Sequence, residues 1–245
     1  MTPWNNDTKT DNVHPSGKWV FDGEVTNCFA NMLERSIPDY RGMRSLVYET
    51  GRLYVKPKTT IIDIGASTGL SAKLFVQEFH SQEVKFFLID NSEPMVKAAR
   101  ERFALFPNVY VACADSWEIL KEVSRNTPGS SSLVLSVLSL QFMPTSYRQT
   151  ILGDIYKSLA DGGAFILVEK VVSTDLDDMM VDLYYKMKRD NGYSEDQIKE
   201  KRKSLENVLS PLRPEWNVDM LRSAGFRKVD MFWRCLNFCG WVAVK

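Results

Sequence analysis

Two segments constrain the architecture most. Residues 59–70 read Thr-Thr-Ile-Ile-Asp-Ile-Gly-Ala-Ser-Thr-Gly-Leu, and residues 86–91 read Phe-Phe-Leu-Ile-Asp-Asn. The first is a short apolar strand running into a turn of small residues and then a helix. The second is another apolar strand, ending in an acid 25 residues after Gly65. Small residues at a strand-to-helix turn let a ligand approach the backbone. An acid closing the next strand can take both hydroxyls of a ribose, so the arrangement suits a nucleoside. Asp63 lies inside the apolar strand. A buried carboxylate needs donors, which the turn amides or a ligand ammonium could supply.

The glycine spacing narrows the choice. A dinucleotide fold wants G-x-G-x-x-G, so that a pyrophosphate can sit on the helix N-terminus. Here the turn reads Gly65-Ala-Ser-Thr-Gly69, with Ser67 where the second glycine belongs, and no Walker lysine follows. This argues against both an NAD-dependent dehydrogenase and a P-loop. The D-x-G-x-S-x-G form resembles motif I of class I S-adenosylmethionine (SAM)-dependent methyltransferases, whose sulfonium nucleoside carries no phosphate.

The 245 residues, 44% hydrophobic and 25% charged, suffice for one large α/β domain with a sizeable core. Basic and acidic residues both total 31. A protein that grips a nucleic-acid backbone usually carries a basic excess, so direct nucleic-acid binding is not expected. The run Lys199-Glu-Lys-Arg-Lys203 reads as a solvated helix face. No apolar run approaches the length of a membrane span. Residues 1–20 are polar, lack the apolar core of a signal peptide, and read as a mobile leader before a single domain, 21–245. The cysteines, Cys28, Cys113, Cys235 and Cys239, form no C-x-x-C, and the only histidines are His14 and His80. The pattern argues against a metal site or a histidine-dependent nucleophile and suits reduced thiols in a cytoplasm.

Along the chain, helices are expected within 21–56 with a break at Pro38, and strands at about 59–64, 84–89, 109–113, 133–138 and 164–169. Intervening helices fall at about 69–79, from Asn91 or Ser92 with Pro94 in the first turn, and at 145–159. Residues 128–132 are a loop, and Asp161-Gly-Gly163 is a turn. This alternation predicts a largely parallel sheet covered on both faces. Beyond the fifth strand come helices over 175–190 and 195–209, the second with a Ser194/Gln197 capping box. A short helix from Pro214 to Gly225 and strands at 227–234 and 239–244 finish the chain. The helical insertion, about 174–213, is placed to lid a pocket at the strand C-termini.

On the second inserted helix Ile198, Leu205 and Leu209 share a stripe, and at 100° per residue Arg202 falls in its middle. A guanidinium on an apolar face needs an anion. A snorkelling arginine, or one paired with Asp182, is the alternative to a ligand contact.

Phe21-Asp22, Glu34-Arg-Ser-Ile-Pro-Asp-Tyr40, Ile89-Asp-Asn-Ser92, Leu140-Gln-Phe142, Glu169-Lys170, Lys188-Arg-Asp-Asn-Gly-Tyr-Ser194, Lys201-Arg202, Leu205-Glu-Asn-Val208 and Asn237-Phe238 resemble carboxy-S-adenosylmethionine (carboxy-SAM) synthases, in register from Phe21 to Lys245. The resemblance implies an α/β, Rossmann-like class I methyltransferase fold, with a seven-stranded mostly parallel sheet, helices on both faces and a helical insertion after strand five. It implies conversion of SAM and prephenate to carboxy-SAM and phenylpyruvate, by capture of the lost ring carboxylate on the sulfonium methyl. A separate enzyme then uses the product on a tRNA wobble uridine. It also implies a homodimer. Its ligand residues match Tyr40, the turn Gly65, Ala66 and Ser67, the pair Asp90 and Asn91, the pair Asp115 and Ser116, and Arg202 as carboxylate clamp. The family's asparagine at the end of strand four falls on Val137, next to Ser136, so Ser136 or Ser139 would have to replace its hydrogen bond. Ala66 stands where the family has cysteine. The competing readings are a SAM-dependent methyltransferase acting on a small molecule and a non-catalytic SAM-binding module.

Overall fold

The structure, a computed structural model, describes residues 9–245. Seven strands form one sheet: β1 (Thr60–Ile64), β2 (Lys85–Asp90), β3 (Val109–Cys113), β4 (Ser131–Val137), β5 (Leu159–Lys170), β6 (Lys228–Cys235) and β7 (Phe238–Val244). Their order is β3-β2-β1-β4-β5-β7-β6. The strands β1 to β5 pair in parallel, and β7 runs antiparallel to both β5 and β6. The strand order reverses between β1 and β4, which opens a crevice at their C-terminal ends.

Period-two alternation divides the core between the faces. Ile61 of β1, Leu133 and Leu135 of β4, and Ile166 of β5 face one cluster; Ile62, Ile64, Val134, Phe165 and Leu167 face the other. Helices α1 (Gly23–Ser36), α2 (Tyr40–Arg52), α3 (Lys73–Phe79), α4 (Glu93–Arg102), α5 (Ser116–Asn126), α6 (Thr145–Ser158), α7 (Asp177–Asp190), α8 (Glu195–Leu205) and α9 (Pro214–Ser223) surround it. Met43 and Val47 of α2 and Phe75 and Val76 of α3 cover the first face. Leu120 of α5, Ile151, Leu152 and Ile155 of α6, and Leu221 of α9 cover the second. Burying such a side chain contributes roughly 1.5–3 kcal/mol, so both faces are sealed by burial that the strand pattern already encodes.

The structure corrects several expectations. The helix after β1 starts at Lys73 rather than Gly69, because Ser67 (φ 49) and Gly69 (φ 77) are left-handed and cannot continue a helix. The sequence reading assigns no helix between β3 and β4, yet α5 lies there, its N-cap Asp115 accepting from the Trp117 amide at 2.8 Å. The strand β5 begins at Leu159, and the 161–163 turn is a bulge within it; the register jumps from Ser131↔Leu159 to Leu133↔Ala164. The helix α8 ends at Leu205 rather than at 209, since Glu206 is extended and Asn207 is left-handed (φ 61).

The leader is the largest correction. Within residues 9–20, Asp11, Val13 and Trp19 are buried, and the last two join Phe29 and Met32 of α1 in a third cluster. Trp19 donates its amide to the Ser204 carbonyl of α8 at 2.9 Å. The stretch is a docked strap whose few apolar residues outweigh its polar composition. Residues 1–8 of the expected leader lie outside the described residues. Among the described residues no helix is long and apolar enough to cross a membrane.

Candidate functional site

The crevice holds a cavity of about 350 Å³. Its floor comes from the turn after β1. Gly65 (φ 65) could not carry a Cβ, which would sit 1.8 Å from the Ser139 Oγ. The Ala66 amide donates to the Ile89 carbonyl at 3.0 Å, locking the turn to β2. At the end of β2 the Asp90 carboxylate accepts the Ser67 amide on one oxygen (2.8 Å) and the Ser92 amide on the other (2.9 Å). Ser92 caps α4 and also donates its hydroxyl to the Phe21 carbonyl at 2.5 Å. Each Asp90 oxygen keeps a free lone-pair direction, so the carboxylate is oriented and still able to accept.

The structure brings most of the predicted residues together. Tyr40, Gly65, Ala66, Ser67, Asp90, Asn91, Asp115, Ser116 and Val137 all line the cavity. Asp63 does not, and lies directly beneath the turn in β1. It is 1% exposed, its Oδ2 has no partner, and burial followed by the Asp90 charge pushes its pKa up to about 8. Ser136 is turned away: its Oγ accepts the Leu140 amide at 3.3 Å, fixing the single 3-10 turn after β4. Ser139, by contrast, lines the cavity beside Val137.

Arg202 is the main correction. It is exposed and does not line the cavity. Leu209 belongs to the coil after α8, and the apolar residues Ile198 and Leu205 mark only one edge of the face that α8 buries. The buried face of α8 runs through Ile198, Lys201 and Ser204, and Lys201 is the cation that faces inward. Lys201 pairs with the fully buried Asp11 of the strap, and the Tyr193 hydroxyl donates to the same carboxylate. The charge of Arg202 still reaches its neighbours: it adds to the burial that lowers the Lys170 pKa and opposes the rise that burial causes at Tyr185.

Sequence reasoning also missed the polar floor beyond β4. The Gln141 amide donates to the buried Glu169 carboxylate (3.1 Å), while its Oε1 accepts the Lys170 amide (2.7 Å). Burial pushes Glu169 up to about 8 despite the nearby Arg148. Lys170, Tyr184, Lys188 and Lys201 make up a cation-rich wall, and Trp19, Phe21 and Phe142 an aromatic one. Phe21 and Phe142 meet edge-to-face at 5.2 Å. The signal available for these residues was their place in the family-like segments, since their contacts join distant parts of the chain.

A methyltransferase-domain family profile matches residues 61–163. A carboxy-S-adenosyl-L-methionine synthase from Shewanella amazonensis is 34% identical over 231 residues, covering 94% of this chain and 93% of that protein. One from Helicobacter pylori strain Shi470 is 38% identical over 235 residues, covering 93% and 95%. This chain belongs to the carboxy-S-adenosyl-L-methionine synthase family. Among solved structures, a SAM-dependent methyltransferase from Archaeoglobus fulgidus matches with a TM-score of 0.60 at 13% identity, covering 89% of this chain and 99% of that one. That likeness shows the class I methyltransferase fold. In this carboxy-SAM synthase family member, the motif I turn and Asp90 thus sit at the topological switch point that the fold uses for ligands.

Proposed function

We propose that this chain converts SAM and prephenate to carboxy-SAM and phenylpyruvate. One observation carries the reading beyond family membership: the cavity that presents Asp90 and the glycine turn also presents the ammonium groups of the buried Lys188 and Lys201 and the half-buried Lys170. A nucleoside sulfonium is itself cationic. Such a wall suits an anionic co-substrate and works against a neutral or cationic methyl acceptor.

The residues fit the nucleoside. Asp90 and Asn91 take the ribose, and Asp115 and Ser116 meet the base. The turn Gly65-Ala66-Ser67 lets the ligand approach the backbone, and Tyr40 packs on the amino-acid end. Asp63, buried beneath the turn with one oxygen unpartnered, acts from below: a ligand ammonium in the cavity favours its ionised form. Ser136 acts indirectly, by holding the turn that follows Val137; Val137 itself offers apolar contact, and Ser139 the hydroxyl. Arg202 adds positive charge outside the wall that carries Lys170 and attracts the same carboxylates.

SAM supplies a methyl group acidified by its sulfonium. Prephenate loses its ring carboxylate as CO2, which bonds to that carbon; the displaced hydroxyl and the methyl proton leave as water. The protein need only hold the partners close, exclude water and balance charge. The strap and the α7–α8 lid, through Trp19, Phe21, Tyr184 and Leu205, are the water-excluding parts. Incubation with SAM and prephenate should release phenylpyruvate. SAM binding without prephenate-dependent turnover would leave the binding-module reading.

The product would serve a separate tRNA-modifying enzyme, in a cytoplasm that suits the four free cysteines. A homodimer is supported by the exposed Leu176, Met179 and Leu183, which share one stripe at the start of α7. Sedimentation velocity at micromolar concentration should give about twice the 28.1 kDa chain mass, and a monomer would contradict it.

A further inference from the structure

We propose that Lys188, with Lys170 beside it, is the subsite for the carboxylate that the acidic co-substrate keeps throughout the reaction. The proposal rests on the function proposed above and assigns the position of that co-substrate. Lys188, on α7, is only 6% exposed yet lines the cavity. Its ammonium lies 4.9 Å from the Tyr193 ring centroid and 5.7 Å from that of Tyr184; the Lys170 ammonium lies 4.7 Å from the Tyr184 centroid. Among the described residues, neither ammonium makes a hydrogen bond or an ion pair, whereas Lys201 has Asp11. Aromatic faces offset only part of the cost of burying a cation. Two ammonium groups over the ring of one tyrosine, both lining the cavity, feel Asp177 and Asp11 only at a distance and have no hydrogen-bonded counter-ion, so they are complementary to a carboxylate.

Burial is the main cause that brings Lys188 down to about 7 and Lys170 to about 8, and in Lys188 the charges of Lys201 and Lys170 add to it. An arriving anion opposes that effect and favours the charged form of both groups.

The choice of carboxylate follows from the chemistry. Losing CO2 drains charge from the departing carboxylate. A cation bonded to it would stabilise the ground state more than the transition state and slow the reaction. The carboxylate of the keto-acid arm keeps its charge from substrate to product, so a lysine pair there anchors without penalty. Such uniform binding acts on KM and leaves kcat nearly unchanged.

Lys188→Gln should therefore raise the KM for prephenate on the order of 10- to 100-fold, the loss expected for a charge-assisted hydrogen bond. The kcat should stay within about threefold, and SAM affinity within about twofold. Lys188→Arg should restore much of the KM. A fall in kcat at unchanged KM, or an equal loss of SAM affinity, would overturn the assignment. Lys170→Gln carries the same test if circular dichroism shows that Lys188→Gln does not fold. Absence of prephenate turnover in the unmodified protein would defeat the proposed function rather than the subsite. In that case phenylpyruvate is titrated calorimetrically into protein saturated with S-adenosylhomocysteine. Weaker binding to the variant supports the anion subsite, and equal binding overturns it.

Discussion

Replacing Asp90 by alanine should weaken SAM binding by at least about 100-fold in isothermal titration calorimetry. The carboxylate receives the Ser67 amide at 2.8 Å and the Ser92 amide at 2.9 Å, and it lies on the cavity wall at the end of β2. Two losses combine. The ribose hydroxyls lose a charged acceptor, where each charge-assisted hydrogen bond is worth about 1.5–3 kcal/mol. The turn also loses the acceptor that holds Ser67 in its left-handed conformation (φ 49), so the glycine turn that must meet the nucleoside is no longer preorganised. Asp90→Asn keeps one acceptor oxygen and should fall between the two. Stability should change less than affinity, since Asp90 is at the cavity edge and water can reach the freed amides. A variant that binds SAM within about threefold of the parent would remove Asp90 from the nucleoside site.

The largest stability effect is expected at the strap. Asp11 is fully buried, pairs with Lys201, and accepts the Tyr193 hydroxyl and the Val13 amide (3.2 Å). Removing one member of a buried pair strands the other charge and costs about 3–5 kcal/mol. At roughly 2–4 °C per kcal/mol for a chain of this size, Asp11→Ala should lower Tm by about 6–20 °C. Asp11→Leu combined with Lys201→Met should recover most of that loss, because replacing both charges removes the stranded one. The acid dependence has a definite sign. Burial tends to raise the Asp11 pKa, but the hydrogen bonds from Lys201 and Tyr193 and the Lys201 charge hold it below its ordinary 3.8. Its contribution is thus fully present above 3.8 and fades as pH falls below it. The Tm gap between parent and Asp11→Asn should therefore narrow in strong acid. A gap of less than about 1 °C at neutral pH would show that the strap is not clamped by this pair.

The parts that sequence revealed are those written in local pattern. The apolar strand before Gly65, the acid closing the next strand and the strand–helix alternation each depend on residues within one element and its turn. They therefore brought Asp90 and Ser67 together on one cavity wall at the switch point. Arg202 was misplaced because the stripe was drawn through apolar residues alone, whereas the face that α8 buries runs through the polar Lys201 and Ser204 beside Ile198 and leaves Arg202 outside it. The partner of Lys201 could not be read at all: Asp11 lies 190 residues away, in a stretch whose composition is that of a loop. Three buried side chains there, Asp11, Val13 and Trp19, are too few to form a periodic signal. Ser136 and Ser139 looked equivalent in sequence, and only the 3-10 turn decides that one caps Leu140 while the other faces the cavity.

The most direct measurement is mass spectrometry of a single-turnover mixture of the protein, SAM and prephenate labelled with a heavy isotope in its ring carboxylate. The account predicts that the label appears in an adenosyl product heavier than SAM by the mass of one labelled carbon dioxide, together with an equal amount of unlabelled phenylpyruvate. Unlabelled S-adenosylhomocysteine as the sole adenosyl product, or SAM recovered intact beside untouched prephenate, would contradict it.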